Sequence, residues 1–122
     1  MAKILLVEND PRILKYMKRC LSRIYSIATT GFVNDARGMI NTDPNINILI
    51  TDLAVEASKG DGLELAEYFK RKNPKGKVIV YSAWPLPESG RENVDFTVSK
   101  NRPGSPETLL DIIQHVESSL ES

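Results

Sequence analysis

A net charge, a long apolar run and a supply of cysteine are all missing from this sequence. Lysine plus arginine number 16 and aspartate plus glutamate number 16, so the formal net charge is zero. That balance removes the electrostatic basis for binding nucleic acid or an anionic membrane surface. A basic stretch runs from Lys70 to Lys77. It has no second cluster and no stacking aromatics beside it, so it reads as a solvated helix end. No apolar run approaches the roughly 18 residues that span a bilayer. The opening Lys3-Ile4-Leu5-Leu6-Val7 meets Glu8 and Asp10 too early to be a signal-peptide core. The lone cysteine, Cys20, excludes an internal disulfide framework and suits a reducing compartment. No nucleic-acid partner and no membrane are expected, and the expected location is the cytoplasm.

What is present is an ordinary globular composition: 41% apolar and 26% charged over 122 residues, enough for one domain with its own core. Lys3–Val7 reads as a buried strand by its continuous apolarity. Asp10-Pro11 then opens a helix, with aspartate as N-cap and proline in the first turn. Ile13, Met17, Cys20, Leu21 and Ile24 follow at helical spacing as its core stripe. Tyr25–Thr30 is a weaker, alternating strand near a sheet edge, ended by Gly31. Val33, Ala36, Met39 and Ile40 predict a short helix that stops around Asp43-Pro44. Asn47–Leu53 is the next strand, and Ala54–Asp61 a loop. A helix starting at Asp61 or Gly62 turns Leu63, Leu65, Ala66 and Phe69 inward, and its basic end suits the helix dipole.

Lys77–Ser82 is the fourth strand. Pro85 and Pro87 prevent a helix from starting at once, and Glu88–Asn93 leaves room for about two turns at most. Val94–Ser99 is the fifth strand, followed by Lys100. Ser105-Pro106-Glu107 repeats the cap-then-proline signal for a last helix with Leu109, Ile113, Val116 and Leu120 on one stripe. Strands alternating with helices argue a parallel sheet covered on both faces.

In such a sheet the ends of the strands share one edge, where ligands gather. Four ends carry polar groups: Glu8-Asn9-Asp10, Asp52, Ser82 and Lys100. Carboxylates brought together repel unless a cation joins them. An oxygen-rich site suits Mg²⁺, which takes one or two carboxylates plus a phosphate. A lysine supplies a point charge for phosphoryl oxygens, and a serine hydroxyl can donate to another. Asp52 would be the nucleophile, forming an acyl phosphate. A flavin- or nucleotide-binding reading fares worse, because the first strand–helix turn is acidic and proline-capped, without a glycine- or hydroxyl-rich cradle.

With these residues the sequence resembles the receiver domains of two-component response regulators. The resemblance rests on Ile4-Leu5-Leu6-Val7-Glu8-Asn9-Asp10-Pro11, Ile50-Thr51-Asp52-Leu53, Gly60-Asp61-Gly62-Leu63-Glu64-Leu65, Val78-Ile79-Val80-Tyr81-Ser82-Ala83, and Lys100 followed by Ser105-Pro106-Glu107. It implies a receiver domain over residues 1–122, with a flavodoxin-like (βα)5 three-layer α/β sandwich and a parallel five-stranded sheet of order 2-1-3-4-5. It implies a phosphoacceptor, not an enzyme in the usual sense, that takes its phosphoryl group onto Asp52 from a histidine kinase or phosphotransfer protein. A downstream protein would read the resulting change of conformation. Ser82 becomes the switch hydroxyl and Lys100 the phosphoryl contact. Glu8, Asn9, Asp52 and the backbone carbonyl of Ala54 become the Mg²⁺ set, with Asp10 a further candidate that also suits a helix cap. The alternative is a pseudo-receiver, a protein-binding module of the same fold without phosphorylation.

Several positions depart from the family pattern. Asn9 stands where the second acid of the metal pair is usual, which predicts weak Mg²⁺ binding. The loop after Asp52 is longer and lacks the usual proline. Asn101 follows Lys100 where a proline, often cis, is usual. A cis bond without proline costs about 2.5–4 kcal/mol, so either a trans bond with a displaced Lys100 or a strained site is expected. Thr97 holds the aromatic switch position, while Phe96 points to the other face by alternation. The segment from Ala83 to Lys100 is short, so the fourth helix should be shortened or irregular. Its face is the family's output and dimer surface, and a homodimer there stays open. Trp84 is expected to cover the sheet edge, and His115 to sit on the last helix away from the site.

Overall fold

The computed structural model describes residues 2–56 and 61–121. The strands are β1 (Lys3–Val7), β2 (Ser26–Thr30), β3 (Ile48–Thr51), β4 (Lys77–Ser82) and β5 (Phe96–Ser99). They form one parallel sheet of order β2-β1-β3-β4-β5. The helices are α1 (Pro11–Leu21), α2 (Val33–Thr42), α3 (Asp61–Lys72) and α4 (Ser105–Glu121). The sheet order and the flavodoxin-like layering are as the sequence implied. Among the described residues, no helix is long and apolar enough to cross a membrane.

Because strand side chains alternate, the sheet builds two cores. Ile4, Leu6, Ile48, Ile50, Ile79, Tyr81 and Val98 pack with Met17 and Leu21 of α1 and with Leu109, Ile113 and Val116 of α4. Leu5, Val7, Leu49, Val78 and Val80 pack on the other face with Ala36 and Ile40 of α2 and Leu65, Ala66 and Phe69 of α3. The three central strands are buried on both faces, which is why they read as unbroken apolar runs. β2, at one edge, is less buried than the central strands and does not show the expected alternation.

Local signals set most of the ends. Asp10 caps α1 by accepting the Arg12 N–H at 2.9 Å, with Pro11 in the first turn. The helix stops earlier than its apolar stripe suggested. The Leu21 carbonyl accepts the N–H groups of Ile24 and Tyr25, and Tyr25 takes the inward place. Ile24, expected in the core, is 51% exposed. Cys20 is only half-buried.

β5 starts at Phe96 and not at Val94, because the Asp95 carboxylate takes the Val78 N–H at 2.8 Å. The same carboxylate holds Lys70 at 2.8 Å. β3 is likewise shorter than Asn47–Leu53, so Asp52 lies just past its end.

The fourth crossover is the main irregularity. Between β4 and β5 the only helical segment is a single 3-10 turn, Arg91–Asn93, entered through Gly90 at φ 90°. The expected shortening goes to its limit. On the α2/α3 side, Thr97 and Ser99 of β5 are left facing an open groove of ≈ 300 Å³, closed along one wall by Trp84, Pro85 and Leu86. Thr97 is exposed, while Phe96 packs toward α4 with its ring edge-on to His115 at 6.0 Å. His115 is exposed on α4, the last helix, as the sequence suggested.

Candidate functional site

Register brings the site together. Val7 pairs with Thr51, so Glu8 and Asp52 leave the sheet side by side. Thr51 pairs with Val80 and Ser82 with Ser99, so β4 and β5 run further before releasing Ser82 and Lys100. Backbone bonds extend each ladder by a residue: Glu8 N–H to Thr30, Asp52 N–H to Val7 and Lys100 N–H to Ser82.

Three charges meet there. The Lys100 Nζ lies 2.6 Å from Asp52 Oδ2 and 2.5 Å from Glu8 Oε2. The side chains are 15%, 13% and 2% exposed respectively, so the pairs are largely screened from water. Glu8 Oε1 accepts the Asp10 N–H at 3.1 Å, and Asp52 Oδ1 accepts the Leu53 N–H at 2.7 Å. Burial alone would lower the Lys100 amine, but the hydrogen bonds from it to Asp52 and Glu8 outweigh burial and hold its pKa above the ordinary value. The amine also lies 5.5 Å from the centre of the Tyr81 ring, and the Tyr81 hydroxyl pairs with the buried Ser105 hydroxyl at the start of α4.

Among the described residues no peptide bond is cis. The bond after Lys100 is therefore trans, and the amine reaches both carboxylates.

The other sequence-named residues fall as follows. Ser82 is buried, and its Oγ accepts the Trp84 N–H at 3.1 Å. Asn9 is exposed at the mouth of the site, and Ala54 is half-buried in the loop after Asp52. Asp10 serves as the α1 cap. Trp84 is 58% exposed and covers one end of the β4–β5 groove. Ala57, Ser58, Lys59 and Gly60, which belong to the expected longer loop, lie outside the described residues.

The structure adds contacts that sequence reasoning did not foresee. Asp61 Oδ1 and Oδ2 accept the N–H groups of Val55 and Glu56 at 2.7 and 3.0 Å, which closes the loop behind Asp52. Glu56 Oε1 accepts the Val33 N–H at 2.6 Å, capping α2 where Phe32 offers no side-chain cap. Gly62 lies so close to β3 that a Cβ there would fall 1.8 Å from the Asp52 carbonyl oxygen. Asn101 Nδ2 donates to the Ala83 carbonyl at 3.0 Å. Asp61 and Gly62 left a trace in the sequence, as an acid and a glycine at a helix start, and Asn101 as a departure from the usual proline. The Glu56 and Asn101 contacts join residues far apart in the chain, and no local pattern encodes them.

The comparisons with known proteins bear on the family and the fold. Residues 4–100 match the sequence model of one family, the response regulator receiver domain. The transcriptional regulatory protein RcsB of Salmonella typhi is 32% identical over 80 residues, covering 63% of this chain and 37% of that protein. RcsB of Escherichia coli K12 is 31% identical over the same length. The chain thus aligns with well under half the length of these relatives.

Among solved structures, a CheY-like receiver domain protein from Methanospirillum hungatei superposes with a TM-score of 0.84 at 21% identity, over 99% of this chain and 98% of that one. The response regulator TrrA of Thermotoga maritima, solved with Mg²⁺ and BeF, gives 0.80 at 24% identity, over 95% and 99%. At such identities the structures speak for the fold alone. The family match over residues 4–100 goes further: this chain belongs to the response regulator receiver domains, the phosphoacceptor modules of two-component signalling.

Proposed function

We propose that Asp52 is the phosphoacceptor, supplied by a histidine kinase or phosphotransfer protein and read by a downstream protein partner in the cytoplasm. The observation that carries this reading is the Lys100 ammonium 2.6 Å from Asp52 Oδ2, at the common edge of the sheet. In the transfer an Asp52 carboxylate oxygen attacks phosphorus. The bond from phosphorus to the donor breaks, and the leaving atom keeps the electron pair. Lys100 supplies positive charge to the transferred oxygens. To do so it loosens its hold on Asp52 while Glu8 still anchors it. The Ser82 hydroxyl can donate a hydrogen bond to a phosphoryl oxygen while its oxygen still accepts the Trp84 N–H. Thr97 faces the same groove as Ser82 and Trp84, so this wall is where we place the response to phosphorylation.

The donor set suits Mg²⁺. Glu8, Asn9, Asp52 and the Ala54 carbonyl are all oxygen donors. Among the described residues, no three His, Cys, Asp or Glu side chains gather to hold a metal. Mg²⁺ needs no more than one or two carboxylates and keeps several waters. When bound, it would neutralise charge on the phosphoryl oxygens. Asn9 brings an oxygen without a charge, so we expect weak binding.

The test is direct. The protein is incubated with Mg²⁺ and acetyl phosphate and its intact mass is measured. One phosphoryl adduct is expected in the wild type and none in Asp52→Asn. No adduct at any Mg²⁺ concentration would overturn the reading.

A further inference from the structure

We propose that Asn101 is a positioning residue for phosphoryl transfer, a role that rests on the reading of Asp52 as phosphoacceptor. The β4–β5 ladder ends at the Ser82–Ser99 pair, and one backbone bond, Lys100 N–H to the Ser82 carbonyl at 2.9 Å, continues it. Beyond that point both chains leave the sheet. Pro85 and Pro87 keep the segment after β4 out of a helix, and the groove beside it leaves that segment without a helix packed on its inner side.

Asn101 bridges this gap. Its Nδ2 donates to the Ala83 carbonyl at 3.0 Å, and its N–H donates to Ser99 Oγ at 3.2 Å. The amide orientation follows from chemistry, because a carbonyl only accepts.

Asn101 directly follows Lys100, and Ala83 directly follows Ser82. The amide therefore ties the two backbones one residue past the two side chains that would hold the phosphoryl oxygens. Phosphoryl transfer depends chiefly on positioning and charge, and a displacement of about 1 Å can cost about a hundredfold in rate. A proline at this place would carry no side-chain donor, so the tie is a property of this chain's own residue.

The test uses Asn101→Asp, Asn101→Ala and Asn101→Gln in the whole protein, with acetyl phosphate and Mg²⁺ as the probe. Aspartate keeps the shape but sets an acceptor against the Ala83 carbonyl, alanine removes the group, and glutamine keeps a donor. The maximal rate of labelling, followed by intact mass, should fall about tenfold or more in the aspartate and alanine variants. The half-saturating acetyl phosphate concentration should hold, and glutamine should restore most of the rate. Emission from Trp84, the neighbour of Ala83, should shift in the unlabelled aspartate variant and stay near wild type in the glutamine variant. Melting temperatures identify any variant that fails to fold, and the alanine variant decides if aspartate does so. Wild-type labelling with equal maximal rates in all three variants overturns the positioning role alone. A wild type that takes no label overturns the phosphoacceptor reading, and this proposal with it.

Discussion

Lys100 and Asp52, 48 residues apart in the chain, meet at 2.6 Å with little solvent between them. The same ammonium holds Glu8, which is 2% exposed. One cation therefore stands between two carboxylates that would otherwise repel in a poorly screened space. The receiver site is also a structural knot, joining the ends of β1, β3 and β5.

Lys100→Met is expected to destabilise the protein by about 3–5 kcal/mol at neutral pH, because it leaves two buried carboxylates unpaired. Urea unfolding measures this. A loss below about 1 kcal/mol would mean that water reaches both carboxylates. Labelling from acetyl phosphate should also disappear.

The raised Lys100 pKa sets the sign of an alkaline effect. Its stabilising contribution is fully present below the unfolded value of about 10.4 and is lost as pH rises through the higher folded value. Thermal unfolding scans should therefore show a steeper fall in melting temperature above about pH 10.4 for wild type than for Lys100→Met.

Gly62→Ala should disturb the site from behind. The added Cβ would lie 1.8 Å from the Asp52 carbonyl oxygen and 3.0 Å from the Leu53 Cα, both backbone atoms that cannot simply rotate away. Overpacking of this kind costs about 1–3 kcal/mol. A calorimetric melt should reveal it, and a wild-type melting temperature would show that α3 can slide off β3 freely.

Glu56→Ala removes the carboxylate that caps α2 from the loop after Asp52. The expected loss is about 1 kcal/mol, typical of an N-cap. Hydrogen exchange should rise at the first turn of α2 and leave β1 and β3 protected.

Asn9→Asp should tighten Mg²⁺ binding by supplying the missing charge. Trp84 is the only tryptophan, so a change in emission on titration has one source. Unchanged affinity would place Asn9 away from the ion.

The sequence by itself determined the order of elements and the edge where the polar groups collect. Apolar runs mark β1, β3 and β4 because those strands are buried on both faces. Asp10-Pro11 marks the start of α1 because the cap and the proline act within one turn. Asp52, Ser82 and Lys100 could be named because each stands at or just past the end of a strand in a parallel sheet. The sequence pattern could not place Ile24 in solvent, start β5 at Phe96 or reduce the fourth crossover to one 3-10 turn.

Only the tertiary structure decided how the charges pair, that Glu56 caps a helix 23 residues earlier, and that Asn101 fastens Ala83. Periodicity and caps are local and leave a trace in neighbouring residues. A hydrogen bond between distant loops depends on register and on the exact meeting of two backbones, which no single stretch of sequence carries.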